Sequence, residues 1–354
     1  MNPPAGQSDT RGTLLVGSIP APGTHEAVTL ALTELGPTLM CIPDGETGSR
    51  SQWVNSIIAE LRNHPAVELV HDGRWSNYND RPRYRVRRGA TLDPDLLRLG
   101  YDAAFQQSRP VLDGLLAEHG LAGATYQVGL ASGFDLALLA FGPVGALRYR
   151  KAFNRAASRE IRSIQRILDD DVVFQIELPA DLVAVSRAPR VLRAVVTRWM
   201  AGVSVEPAAL APNGTKFGVH LCFGDLHHKA LMIVGRNCSP TVQLANAIVA
   251  RWPRHTSLAY MHIPLAAGDA APSLAQSYYA PMADLSLPAG TRLVAGFVHD
   301  ALSEDQLREV LNMVESIVGG RVDVAAPCGL GRRDAATARD LMRASRHLAA
   351  AETP

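Results

Sequence analysis

The segment His220-Leu221-Cys222 sets an imidazole and a thiol two residues apart in an apolar run, and Cys328 stands before Gly329-Leu330-Gly331. Alternate residues of a β-strand point to one face, so a strand here would present His220 and Cys222 together. Two thiolates and an imidazole are a donor set suited to Zn²⁺, which takes four ligands in a tetrahedron. Such a metal lowers the pKa of a thiol or a water and holds a nucleophile at neutral pH. Ser18, Glu46, Glu177, His262 and His299 also fall at or near the ends of apolar runs. Any one of them could be a satisfied buried polar group. So many at one kind of position argue for a shared site, because buried charges without partners are costly.

The elements that must position these residues read as a regular series. Short β-rich runs occur at 13–20, 38–48, 125–135, 172–181, 216–225, 257–265, 291–300 and 322–331. Most are near-continuously apolar, as expected of parallel strands covered on both sides. Helical patterns lie between them, at 25–35, 240–252 and 303–318 for example, the last with Ser303 as its N-cap. Strand–helix alternation of this kind predicts an α/β fold, a single (β/α)8 TIM barrel over 13–350. Catalytic groups of such barrels sit at the C-terminal ends of the strands, where the polar residues fall. No glycine-rich dinucleotide fingerprint follows the first strand. The long interval between strands 2 and 3 predicts an insertion at about 65–100 that carries a hairpin or flap. Residues 1–12 read as a disordered lead-in.

Composition narrows the function classes. Lys and Arg number 35 against 34 Asp and Glu, so no charge excess favours nucleic acid or an anionic membrane. Arg81, Arg83, Arg85, Arg87 and Arg88 form the one basic run and fit an exposed edge strand or solvated loop. No apolar stretch reaches the ~18–20 residues of a membrane span. Four cysteines in 354 residues do not make a disulfide scaffold, and a cytoplasmic location is expected. Cys41 reads as a buried small hydrophobe and Cys238 as an incidental loop thiol. His227 and His228 either support the metal segment or are solvated. Asp44 and Asp225 are turn residues by default.

Five segments, in order, carry a resemblance. VGSIP (16–20), DGETGSRSQWV (44–54), FQIELPAD (174–181), GVHLCFGD (218–225) and PCGLGRR (327–333) together resemble the catalytic C-terminal barrel of cobalamin-independent methionine synthase. The resemblance spans nearly the whole chain and implies a divergent single-barrel relative. It implies zinc held by His220, Cys222 and Cys328, with Ser18 near a substrate carboxylate. Glu46 and Glu177 would clamp a substrate ammonium, and Arg50 falls in the same substrate-binding segment. The family's fourth zinc ligand is a glutamate ending the sixth strand, where this chain has His262. A Cys2His2 site would carry one less negative charge, forming a thiolate more readily but leaving it less nucleophilic. The alternative leaves that position to substrate or water. His299 either replaces the family's general acid or only supports the site, and Arg332 and Arg333 either bind an anionic donor or pair with carboxylates.

The implied function is zinc-dependent methyl or alkyl transfer to a small, amino-acid-like thiol from an unidentified alkyl donor. No folate-gripping residues can be matched, and an oligomer is compatible with the sequence. Two alternatives keep the barrel: a zinc-dependent lyase or hydrolase, such as one cleaving C–S bonds, and a non-catalytic metal- or ligand-binding descendant.

Overall fold

The computed structural model describes residues 10–168, 170–231 and 235–351. In chain order β1 (Thr13–Leu14) leads to α1 (Thr24–Leu35), and β2 (Ile42–Pro43) leads to α2 (Trp53–Glu60). The hairpin β3 (Val67–His71) and β4 (Arg83–Val86) follows, then α3 (Tyr101–Glu118). Next come β5 (Tyr126–Ala131), α4 (Gly133–Leu168), β6 (Val172–Leu178), α5 (Pro179–Arg187), α6 (Arg190–Ser204) and α7 (Glu206–Leu210). The last third holds β7 (Lys216–Leu221), α8 (Ser239–Val249), β8 (Ser257–Pro264) and α9 (Gln276–Tyr279). It ends with β9 (Arg292–Gly296), α10 (Glu304–Val318), β10 (Asp323–Ala325) and α11 (Ala335–Ala350).

Eight of these strands form one parallel sheet in the order β1-β10-β9-β8-β7-β6-β5-β2. A parallel bridge between Thr13 and Leu39 brings the two edges together, with Met40 N donating to Thr13 O at 3.0 Å. The result is the (β/α)8 barrel expected from the alternation. The hairpin β3–β4 stands apart as a two-stranded sheet inside the expected insertion. Arg83 and Arg85 project into solvent from β4, so the basic run is an exposed strand.

The first two strands pair over only two residues each, far short of the apolar runs that predicted them. Beyond Leu14 and Pro43 the backbone leaves the sheet to form mouth loops, and Ile19 N donates to Gly45 O at 2.9 Å to tie the two together. These are the loops that carry Ser18 and Glu46. Inside the barrel, Leu14, Cys41, Val173, Tyr260, Val294 and Ala325 form their own apolar cluster. Gly218 is required there, because a Cβ at this position would lie 2.0 Å from Tyr260 Cζ. Above that layer Tyr260 donates to Gln175 at 3.0 Å, and Gln175 and Gln127 donate to Val16 O at 2.6 and 2.7 Å. These buried amides satisfy the Val16 carbonyl, which lies beyond the end of β1. Cys41 is buried as expected, its thiol donating to Gln127 Oε1 and pushed up to about 12 by burial.

Two expectations change. Residues 1–9 lie outside the described residues, but Arg11 and Gly12, read as part of a lead-in, are held. Arg11 Nε donates to Glu315 at 2.6 Å with both side chains buried, and Gly12 N donates to Asp323 at 2.6 Å. Cys238 is 1% exposed at the start of α8 and belongs to the core rather than to a free loop. Ser303 caps α10 as predicted, in a reciprocal box with Gln306.

Candidate metal centre and cleft

Sheet register assembles the centre. Glu177 on β6, His220 on β7 and His262 on β8 are lateral partners across three neighbouring strands. Cys222 follows His220 by two residues on the same face. Cys328 is delivered by the loop after β10, which is laced to the loop after β1: Leu330 N donates to Ser18 O at 2.8 Å, and Gly331 N to Ser18 Oγ at 3.3 Å. A Cβ at Gly329 or Gly331 would lie 2.2 or 2.8 Å from Ser18, which explains glycine at both positions of this turn.

His220, Cys222 and Cys328 offer ligand atoms that all lie within 4.8 Å of one another. The two sulfurs are 3.6 Å apart, and Gly224 N–H points at Cys222 Sγ at 3.2 Å. His220 Nε2 is buried without a hydrogen-bond partner, as expected for a lone pair meant for a metal. The donor set, two sulfurs and one imidazole, fits zinc. The thiol–thiol hydrogen bond and burial hold the Cys328 thiol well above its ordinary range, while burial and the neighbouring His262 hold His220 well below it, in the neutral form that binds metal.

His262 is not brought into this group. Its Nδ1 contacts His220 Nδ1 at 2.8 Å and its Nε2 contacts Ala326 O at 3.1 Å, so both ring nitrogens are engaged. Burial pushes it down to about 4. The group that could hold a metal is thus His220, Cys222 and Cys328, with both sulfurs on a cleft, and the placement of His262 behind His220 fits the alternative that leaves the fourth position to substrate or water. Of the two readings of His299, its contacts fit the supporting one. It is 5% exposed, contacts the carbonyls of Ala267 and Gly268 at 3.1 Å, and accepts from Ala301 N at 3.0 Å. That ring braces a loop and does not line the cleft. Arg50 forms an ion pair with Asp44 and is not among the residues lining the cleft.

The cleft measures about 680 Å³. Ser18, Glu46, Glu177, Cys222 and Cys328 lie on it together, as the sequence suggested. Glu46, at φ +47, is wedged where a Cβ on Gly17 or Gly129 would come within 2.6 or 3.1 Å of its Oε1. Burial raises its carboxyl to about 7 against the opposing pull of Arg50, and burial with the charge of Glu46 raises Glu177 well above the usual range. The pair therefore holds at least one proton near neutrality.

Several lining residues were not anticipated: Trp53 from α2, Trp75 and Tyr78 from the hairpin insertion, Phe134 and Leu138 from α4, and Asp225 after β7. The aromatic content of segment 71–84 was the one available signal. Tyr78 Oη accepts from Leu226 N at 2.9 Å and His227 Nε2 donates to Trp75 O at 2.7 Å, locking the flap to the metal-bearing loop. Asp225, read as a turn residue, is pushed up to about 6 by burial, with Arg332 and Arg333 opposing.

No protein-family model matches the chain, and no curated protein matches it. Among solved structures it is similar to a B12-independent methionine synthase from Shewanella sp. W3-18-1 described in complex with selenomethionine. That match has a TM-score of 0.62 at 13% identity and covers 96% of this chain and 97% of that one. A methyltransferase from Methanosarcina mazei matches with a TM-score of 0.50 at 10% identity, over 96% of this chain and 94% of that one. At these identities the likeness establishes the barrel fold. No helix among the described residues is long and apolar enough to cross a membrane.

Proposed function

We propose that this chain is a zinc-dependent enzyme that activates a thiol for methyl or alkyl transfer. The observation that carries the reading is the sulfur–sulfur–imidazole group whose two cysteines face a large cleft. Three protein donors with an open side are the pattern of catalytic zinc, whereas structural zinc is closed by four. The five resembling segments and the fold shared with a methionine synthase and a methyltransferase support alkyl transfer.

Bound here, zinc would supply Lewis acidity that lowers the pKa of a substrate thiol. The chain's own residues do the rest. Glu46 and Glu177 face a substrate amino group, which would let both carboxyls ionise and so resolve their mutual repulsion. Ser18 lies at the same end for a carboxylate. Trp53, Trp75, Phe134 and Leu138 keep water from the reacting sulfur. Asp225 is placed for the proton-donating role expected of His299, since it lines the cleft and His299 does not. Ligand sites of about 300–1,000 Å³ hold drug-sized molecules, so the cleft has room for a donor beside a small thiol.

The test uses cobalt-substituted protein. Adding a small thiol such as homocysteine should increase sulfur-to-metal charge-transfer absorption as a third sulfur joins the two cysteines. Mass spectrometry should then find the S-methyl product for one member of a thiol and methyl-donor panel. Absorption unmoved by every thiol tested would refute thiol activation.

A further inference from the structure

We infer that His262 is a positioning residue that fixes the tautomer of His220, through a relay running from the Ala326 carbonyl to the metal-facing nitrogen. A carbonyl oxygen only accepts, so the 3.1 Å contact of His262 Nε2 with Ala326 O puts a proton on Nε2. Neutral His262 then has a bare Nδ1. The 2.8 Å contact between the two Nδ1 atoms makes His220 Nδ1 the donor. Neutral His220 thereby spends its single proton and presents an unprotonated Nε2, the buried atom that has no partner. Both rings are neutral on geometric grounds, because they are 1% and 0% exposed and their polar contacts are with each other and with backbone groups, Ala326 and Leu221 among them. A charge there would be uncompensated.

The relay also joins the two halves of the centre. Ala326 lies two residues before Cys328, so His262 on β8 braces the β7 ligand against the segment that delivers the β10-side cysteine. The fold reserves space for this ring: a Cβ on Gly296 of β9 would fall 2.5 Å from His262 Nε2. A histidine at this place therefore acts through a ligand rather than as one, and metal ligands oriented in this way hold their proton on the far nitrogen.

The inference rests on the zinc reading above, and two measurements separate their failures. Nitrogen-15 imidazole spectra of the metal-free native protein should show His220 protonated on Nδ1 and bare on Nε2, and His262 the reverse. Zinc affinity is then measured by chelator competition in three variants. His262→Phe keeps the ring and removes both nitrogens. Gly296→Ala displaces the ring. His262→Asn keeps an acceptor near the position of Nδ1. The first two should weaken zinc by about 10–100-fold, and His262→Asn should recover most of that loss. A His220 protonated on Nε2 in the native spectrum, or native zinc affinity in His262→Phe, overturns the relay. The native spectrum decides even where a variant fails to fold. If the native protein takes up no zinc, the metal reading fails while the same spectrum still tests the relay.

Discussion

Replacing Glu46 by glutamine should stabilise the protein, and only above a definite pH. The carboxyl is 8% exposed, between Gly17 and Gly129, where burial raises it from its ordinary 4.5 to about 7. Because the folded pKa lies above the unfolded one, the folded chain binds this proton more tightly. Its stabilising contribution is complete below about 4.5 and is lost as the pH rises through 7. The shift corresponds to about 3 kcal/mol of penalty on the ionised folded state at high pH. Glutamine fills the same space and cannot ionise. It also removes the charge that raises Glu177, which acts in the same direction. Urea unfolding of metal-free protein should therefore show Glu46→Gln matching the native chain at about pH 4 and exceeding it by about 3 kcal/mol at about pH 8. An equal gain at both pH values would mean that packing, not ionisation, is responsible. No gain at the higher pH would show that the carboxyl is not held above its usual range.

Metal analysis of the purified protein should give about one zinc per chain, and Cys222→Ser or Cys328→Ser should lose it; zinc retained in both variants would remove the site. Arg11→Met should take from the buried Glu315 its Arg11 ion pair, leaving the Val322 N–H, and cost about 3 kcal/mol in urea unfolding, with an unchanged midpoint showing that the pair contributes nothing. Ser303→Ala removes half of the α10 capping box and should cost about 1 kcal/mol by the same measurement; a shift within error would count against the cap.

How much of this was legible depended on range. Local patterning marked all eight barrel strands, because apolar runs covered on both sides differ from the amphipathic helices between them. The H-x-C spacing placed His220 and Cys222 together, since strand periodicity alone decides which residues share a face. The location of Ser18, Glu46, Glu177 and Cys328 at strand ends put them on one mouth once the barrel was granted. The extent of β1 and β2 was not legible. Their runs stay apolar into the mouth loops, where the side chains pack while the backbone leaves the sheet.

What only the tertiary structure decided concerns which neighbour each buried nitrogen meets. His262 and His299 have the composition of a ligand and a general acid, and both end strands. Yet His262 is bonded to His220 and Ala326, and His299 to the loop at 267–268. Asp225 and the hairpin's Trp75 and Tyr78 reach the cleft through contacts 148 or more residues apart in the chain, such as Leu226 with Tyr78. The sequence by itself determined the barrel, the insertion and the three metal-type residues, because periodicity and residue chemistry are local properties. Which imidazole faces the metal position and which stands behind it depends on register between strands and on the space left by Gly296, and those exist only in the folded chain.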